Sequence, residues 1–600
     1  MVQRRRLIAT AAALGVTPKG AWPRTASQPG ERVLRLTLPV AETGFDAVQN
    51  NTDLYSNSVC ANIFEAPLAY DYLARPARLV PKTAIALPEI SADLRTLIVH
   101  LRRGIYFDGD PAFRGQRREL VAEDYAYTIK RYYDPRWKAA DLYLFSNAML
   151  LGLSELRERA LMGRRPFDYD TPVEGARALD RYTLQIKLGI SDPRFVYNLA
   201  NSWLMGAVAR EVVEHYGDDI AAHPVGTGPF RLAAWRRASR IELERSPSFR
   251  GVLYDGTPAD DPVAREVAAR LAGRTLPLVD RVVLDVVEEP QPRWLAFVNG
   301  EHDLLEVPGS FAPLSVPHGK LAPFLAKKGV RLQVSSQPDM SMTFFNCSHP
   351  LVGGYTPEKV ALRRAIALSF DNAAYIRLVR GEMAIPAQSV VPPFTSGYDP
   401  DYRCEMSEHD PGKARALLDL YGYIDGDGDG WRETPAGEPL TLRIASLPDQ
   451  SARAQIELWH RALRAIGLRT QFEIAPWGEL LKRDRSGALM MWGFAWTAGS
   501  PDGGFFLSIA YGPNSDEAND ARFALPAFDR LFERQRVMPD GPSREALMRE
   551  AKNLLAAYMP YKAHAHRRIA DLLQPRLQGY WRHPFMRDFW CFMGVDGPAP

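Results

Sequence analysis

The sequence predicts a mixed α/β protein of more than one lobe, and three observations predict it. The length of 600 residues is about four times a ~150-residue domain. Period-two apolar runs, the mark of half-buried strands, alternate along the chain with runs of helical spacing. No internal repeat at solenoid periods and no low-complexity tract breaks that alternation.

The elements follow in order. Val33-Leu34-Arg35-Leu36-Thr37-Leu38 alternates and stops at Pro39, and Thr96 to Leu101 alternates before Arg103-Gly104; both read as strands. Ala122 to Tyr132 opens with acidic residues and carries helical spacing, as a helix N-terminus should. Tyr182 to Leu188 and Leu278 to Val287 are strand-like, and Pro292 to Gly300 reads as a helix ended by glycine. A β-rich run at Ser341 to Asn346 begins a new block, followed by helices at Lys359 to Phe370 and Ser451 to Ile466 and a strand at Gln471 to Ile474.

Composition narrows the function classes. Hydrophobic residues are 46% and charged residues 24%, the balance of an ordinary globular protein. The 74 basic and 71 acidic residues leave a formal charge of +3, too slight for a polyanion-binding surface, so no nucleic-acid partner is expected. Four cysteines, Cys60, Cys347, Cys404 and Cys591, exclude a disulfide scaffold and several zinc sites; an exported location permits disulfides, but their spacing does not pair them.

Residues 1–27 have the layout of an export signal: Arg4-Arg5-Arg6, an apolar run from Leu7 to Val16, then Thr25-Ala26-Ser27. The apolar run is too short to span a membrane, which takes about 20 residues. The adjacent arginines resemble a twin-arginine signal, while Leu7-Ile8 in place of Phe-Leu keeps Sec export open. With no lipobox cysteine before Cys60, a free periplasmic protein is expected. The segment carries five basic and no acidic residues, so the faint basicity of the chain belongs to it.

Several segments, taken in order, resemble the family 5 solute-binding proteins of ATP-driven (ABC) importers, the oligopeptide- and dipeptide-binding type. They include IFEAPLAYD (Ile63 to Asp71), LVPKTAIALPEISADLRTLIVHLRRGIYFDGD (Leu79 to Asp110), ELVAEDYAYTIKR (Glu119 to Arg131) and VGTGPFRLAAWRRASRIELERSPSFRG (Val225 to Gly251). WLAFVNGEHDL (Trp294 to Leu304), ALRRAIALSFDNAAYI (Ala361 to Ile376) and HDPGKARALLDLYGY (His409 to Tyr423) continue the set. The stretch between Asp134 and Asp180 looks like an insertion relative to shorter members.

The resemblance implies a two-lobed periplasmic binding protein fold, type II and cluster C-like, with lobes joined by two hinge strands. Residues 31–338 plus 564–600 would form lobe I, with an extra subdomain within about 80–222, and residues 339–563 lobe II. It implies a monomeric periplasmic receptor that captures a peptide or peptide-like solute and delivers it to a membrane permease driven by ATPase subunits, with no cofactor. Closure of such lobes removes a ligand from water, a differential-affinity mechanism. The alternatives are an exported hydrolase using the same cleft, or a receptor for a sugar, an opine-like compound or a metallophore. No G-x-S-x-G, H-E-x-x-H or Walker-type loop supports catalysis.

The expected ligand-binding residues are Trp496, Ala498, Gly499, Asp502 and Glu65. In peptide-binding relatives the segment matching Trp496 to Asp502 reads about W-x-A-D-Y-x-D/E-P, and its first aspartate pairs with the peptide's ammonium. Here Trp496 and Ala498 match, but Gly499 stands at the acid. A buried ammonium without a partner is expensive, so this loss disfavours free-amine peptides by several kcal/mol unless another acid replaces it; Asp502 is the nearest in sequence. Glu65 is a cleft candidate or a structural carboxylate. The glycines of Val225 to Phe230 (VGTGPF) serve a turn needing positive φ or close backbone approach. Asp425, Asp427 and Asp429 resemble half an EF-hand loop, but position twelve is Ala436, so they are weak metal candidates beside a plain solvated turn. His564 and His566 are read as ordinary strand residues rather than ligands.

Overall fold

Two antiparallel segments carry the chain between the halves of the molecule. The computed structural model describes residues 30–596 apart from 51, 52, 164 and 516; the export signal read at 1–27 lies outside the described residues. One crossing segment is the 13-residue strand Tyr561–Leu573. Its first part pairs with strands Asp339–Phe345 and Ala384–Pro386, its last part with Arg331–Ser336 and Leu304–Glu306. The partners change between Arg567, opposite Ala384, and Arg568, opposite Ser336.

The other crossing segment is Arg331–Ser336 running through Gln337-Pro338 into Asp339–Phe345. Pro338 has no N–H to give the ladder, so the strand breaks there and the two sheets diverge. Asp339, fully buried, accepts from the Arg567 backbone N–H at 2.9 Å and from its guanidinium. The two crossovers are thereby tied where the lobes meet.

The first lobe holds a four-stranded sheet ordered Val33–Leu38, Arg281–Val286, Arg240–Arg245, Phe230–Arg236; only its first pair is parallel. A second, antiparallel sheet comprises Glu89–Ile90, Thr96–His100, Thr183–Lys187 and Ala176–Asp180. Helix Ala122–Tyr133 packs beside it with Tyr125, Tyr132 and Tyr133 buried. The Asp124 carboxylate accepts from the Val121 N–H at 2.8 Å, closing the helix start, as the acidic opening of that segment predicts.

In the second lobe, strands Met491–Thr497, Thr441–Ser446 and Arg469–Ile474 extend the sheet of Asp339–Phe345. Thr441–Ser446, helix Gln450–Ala465 and strand Arg469–Ile474 form a parallel β-α-β crossover, and Asp449 caps the helix from the Ala452 N–H at 2.8 Å. Helices Pro357–Ser369, Pro526–Arg536 and Pro542–Tyr558 also belong to this lobe.

Strand and helix boundaries differ from those predicted by a few residues at most. Prolines set several starts: helices begin at Pro290 and Pro357, at the first helical position where the missing N–H costs nothing.

Candidate functional site

The strand Met491–Thr497 delivers its end into the space between the lobes. Trp496 lies opposite Met340, and the Ala498 N–H donates to the Pro338 carbonyl at 2.8 Å. Residues 499–502 therefore emerge beside the crossing segments, where a cavity of about 400 Å³ opens. Its first-lobe wall comes from Asp53 to Asn57, the turn Asp141 to Ala148, Arg194 to Trp203, and Arg587. Helix Trp477–Arg485, residues 494–508 and the end of helix Pro526–Arg536 form the facing wall, with Arg567 between.

Of the residues expected from the sequence, Trp496, Gly499 and Asp502 lie in the wall. Trp496 is 8% exposed and its indole N–H donates to Asp520 Oδ2 at 3.1 Å. Phe505 packs edge-on against it at 5.7 Å between ring centroids. An aromatic plate with its polar atom satisfied from behind offers apolar surface to a ligand at little entropic cost.

Gly499 is not demanded by the turn. A Cβ at this position would meet Asn201 and Trp203 atoms at 3.5 and 3.6 Å, ordinary contact distances, and its φ is not in the left-handed region. The position has room for a side chain that the sequence does not supply. Its carbonyl accepts from the Tyr70 hydroxyl of the other lobe at 3.3 Å.

Asp502 is already paired within the protein. It accepts from the Arg544 guanidinium, from Ser396 Oγ at 3.1 Å and from the Gly504 N–H at 3.0 Å, with Arg194 Nε at 3.5 Å. Burial pushes its carboxyl up, but the two arginines outweigh burial and hold it below the usual range. Its charge is already spent.

Two further expected residues fall outside the wall. Ala498 is buried beneath it. Glu65, 1% exposed, accepts from both terminal nitrogens of Arg250, at 2.7 and 3.0 Å, and from Thr227 Oγ1 at 3.0 Å. Gly226 and Gly228 flank that threonine, and a Cβ on either would lie 2.1 and 2.5 Å from the Ile63 carbonyl. Close approach, not positive φ, requires both glycines. The segments IFEAPL and VGTGPF are thus one docked structural unit, and Glu65 is its ion-pair centre.

The cavity holds more charge than the sequence patterns revealed. Asp53 caps helix Leu54–Ile63 and Asp192 accepts from the Arg194 N–H at 3.0 Å. Asp141 differs: among the described residues no hydrogen bond or ion pair reaches its carboxylate, and Arg485 is the one cation acting on it. Burial pushes it up to about 7. Arg485 also lies 3.8 Å from Asp520, whose carboxyl burial pushes up against the lowering effects of Arg485 and of its hydrogen bond with Asp484; Asp484 itself is pushed up to about 9, first by burial and then by Asp520. Arg587 lines the same cavity with no carboxylate bound to it among the described residues, and burial followed by the like charges of Arg582 and Arg567 lowers it to about 10.

The remaining candidates do not converge on the cavity. Carboxylate oxygens of Asp425, Asp427, Asp429 and Glu433 lie within 4.8 Å of one another in an exposed turn. Their oxygens accept from N–H groups of Gly426, Gly428, Gly430 and Trp431, and Arg469 pairs with Asp429 at 2.8 Å, the pattern of a self-closed turn. His564 and His566 are buried and bonded to Thr343 Oγ1 and the Asp339 carbonyl, at 2.9 and 2.7 Å. The four cysteines are free thiols. No described helix is long and apolar enough to cross a membrane.

A family model for bacterial extracellular solute-binding proteins, family 5 (middle), matches residues 78–518. Among curated proteins, di/tripeptide-binding protein 2 of Pseudomonas aeruginosa is 25% identical over 94% of this chain and 95% of its own length. Among solved structures, the ABC transporter-associated periplasmic binding protein DppA of Helicobacter pylori, in complex with a peptide STSA, superposes with a TM-score of 0.75. The pair is 20% identical over 94% of this chain and 99% of that one. The OppA of Haemophilus influenzae in complex with RPPGFSPFR gives 0.73 at 18% identity, over 94% and 99% of the two chains.

Proposed function

Because the chain belongs to the family 5 bacterial extracellular solute-binding proteins, we propose that it is a periplasmic receptor for a peptide or peptide-like solute. It captures the solute between its lobes and hands it to the membrane permease of an ATP-driven importer. The observation that carries this reading is the cavity at the crossing segments, walled by both lobes and bridged by Arg194 and Asp502. Such a site binds by exclusion of water on closure and needs no chemistry of its own.

The receptor works as an exported monomer with no nucleic-acid partner and no cofactor; the segment 1–27 directs export and is removed. The hydrolase reading is set aside, because the family and the relatives that match are substrate-binding receptors.

A thermal-shift screen of the purified protein against peptide pools, with ester and amide hydrolysis assays in parallel, tests the function. A ligand at 100 times its Kd adds about 2.7 kcal/mol of stability, and the expected result is a raised Tm with peptides and no turnover. Turnover of an ester or amide with no Tm shift from any peptide would overturn it.

A further inference from the structure

The receptor reading leaves a chemical gap: Gly499 brings no side chain to the wall, and the nearby Asp502 is neutralised by Arg544 and Arg194. The cavity nevertheless contains a buried carboxylate to which, among the described residues, nothing is bonded. Asp141 is 3% exposed, lines the cavity, and sits on the short turn Ala140–Leu142 of the first lobe. It comes from the stretch between Asp134 and Asp180 that looks like an insertion, and it faces the space from the lobe opposite Gly499.

An isolated buried carboxylate is costly unless paired. The one cation acting on Asp141, Arg485, also lies 3.8 Å from Asp520, so it is shared between two carboxyl groups. Arg587 has two arginines as neighbours and, among the described residues, no bonded anion. Arg536, the other wall arginine without a carboxylate, is already held by the Asn147 carbonyl at 3.2 Å and by the rings of Tyr511 and Phe532.

We propose that Asp141 receives the free amine of the captured peptide-like solute, in place of the acid missing at Gly499, and that Arg587 receives its carboxylate. The ligand class is then a zwitterion with a free amine and a free carboxylate, held by one charge from the insertion and one from the C-terminal segment. The assignment rests on the receptor reading above and specifies its ligand. The position of Asp141 near neutrality without a ligand fits it: an arriving ammonium supplies the missing partner and draws the carboxyl into its ionised form.

Calorimetry on the full chain tests it, with pools of di- and tripeptides carrying free termini, an N-acetyl group or a C-terminal amide. Wild-type protein should bind free-termini peptides and lose affinity on acetylation or amidation. Asp141→Asn should weaken the free-amine pool roughly 30-fold and leave the acetylated pool unchanged; Arg587→Gln should do the same for free carboxylate against amide. Adding Gly499→Asp to Asp141→Asn should restore free-amine binding, because the glycine has space for the side chain. Wild-type binding without preference for a free amine, or Asp141→Asn binding every pool as wild type does, would overturn the assignment and leave the receptor reading standing. Failure of wild type to bind any of the pools would overturn both.

Discussion

Arg194 and Asp502 face each other across the cleft, Nε to Oδ2 at 3.5 Å, one from each lobe. Arg194 also donates to the Met538 carbonyl at 2.8 Å and to the Arg536 carbonyl, at the end of helix Pro526–Arg536. A guanidinium at the carbonyl end of a helix is favourably placed against its dipole. The arginine therefore holds the second lobe through several groups at once.

Arg194→Ala should shift the open–closed equilibrium toward open. The expected outcome is about tenfold weaker peptide binding and a larger radius of gyration at sub-saturating ligand by small-angle scattering. Unchanged scattering and affinity would mean that the pair contributes nothing to closure.

Glu65→Gln should damage stability and spare the site. It leaves Arg250 as a partly buried cation with half its partner gone, a loss of roughly 2–4 kcal/mol. Denaturant unfolding should show the drop, while peptide affinity measured on the folded fraction stays at the wild-type value. An affinity loss without a stability loss would return Glu65 to the ligand site.

The ligand-free protein should lose stability through Asp141 as pH rises. Its folded carboxyl is pushed up to about 7 from the usual 3.8, so the folded state holds a proton that the unfolded chain has released. The contribution is fully present below about 4 and is lost as pH climbs through about 7. Around Asp141 stand Arg485 of helix Trp477–Arg485 and the phenols of Tyr132 and Tyr143. Asp141→Asn, which cannot ionise, should exceed wild type by a margin that grows to a few kcal/mol above pH 7. A margin flat with pH would show that Asp141 titrates as an ordinary exposed carboxylate.

Trp496→Ala should lower ligand affinity by about tenfold or more while leaving a folded protein, because the indole stands at the cavity edge rather than in the middle of the sheet. Competition binding with a fluorescent peptide measures it. Wild-type affinity would remove Trp496 from the ligand's contacts.

Trp496 and the vacancy at Gly499 were legible in the sequence because both lie in one short segment with a recognisable pattern. So were the strands and helices, whose apolar spacing is local. Glu65 was open to misreading because its partner Arg250 is 185 residues away, and a lone acid looks alike in a cleft and in a salt bridge. Asp141, Arg194 and Arg587 carried no signal at all. They sit in segments without periodicity that are far apart in the chain, and only the fold brings them to one cavity with Trp496.

Native mass spectrometry of the protein purified without denaturation distinguishes a peptide receptor from its alternatives in one measurement. The expected result is a bound species of peptide mass, released on activation, whose fragment series carries an unmodified amine at one end and a free carboxylate at the other. A bound sugar, metal complex or other solute lacking both groups would contradict it.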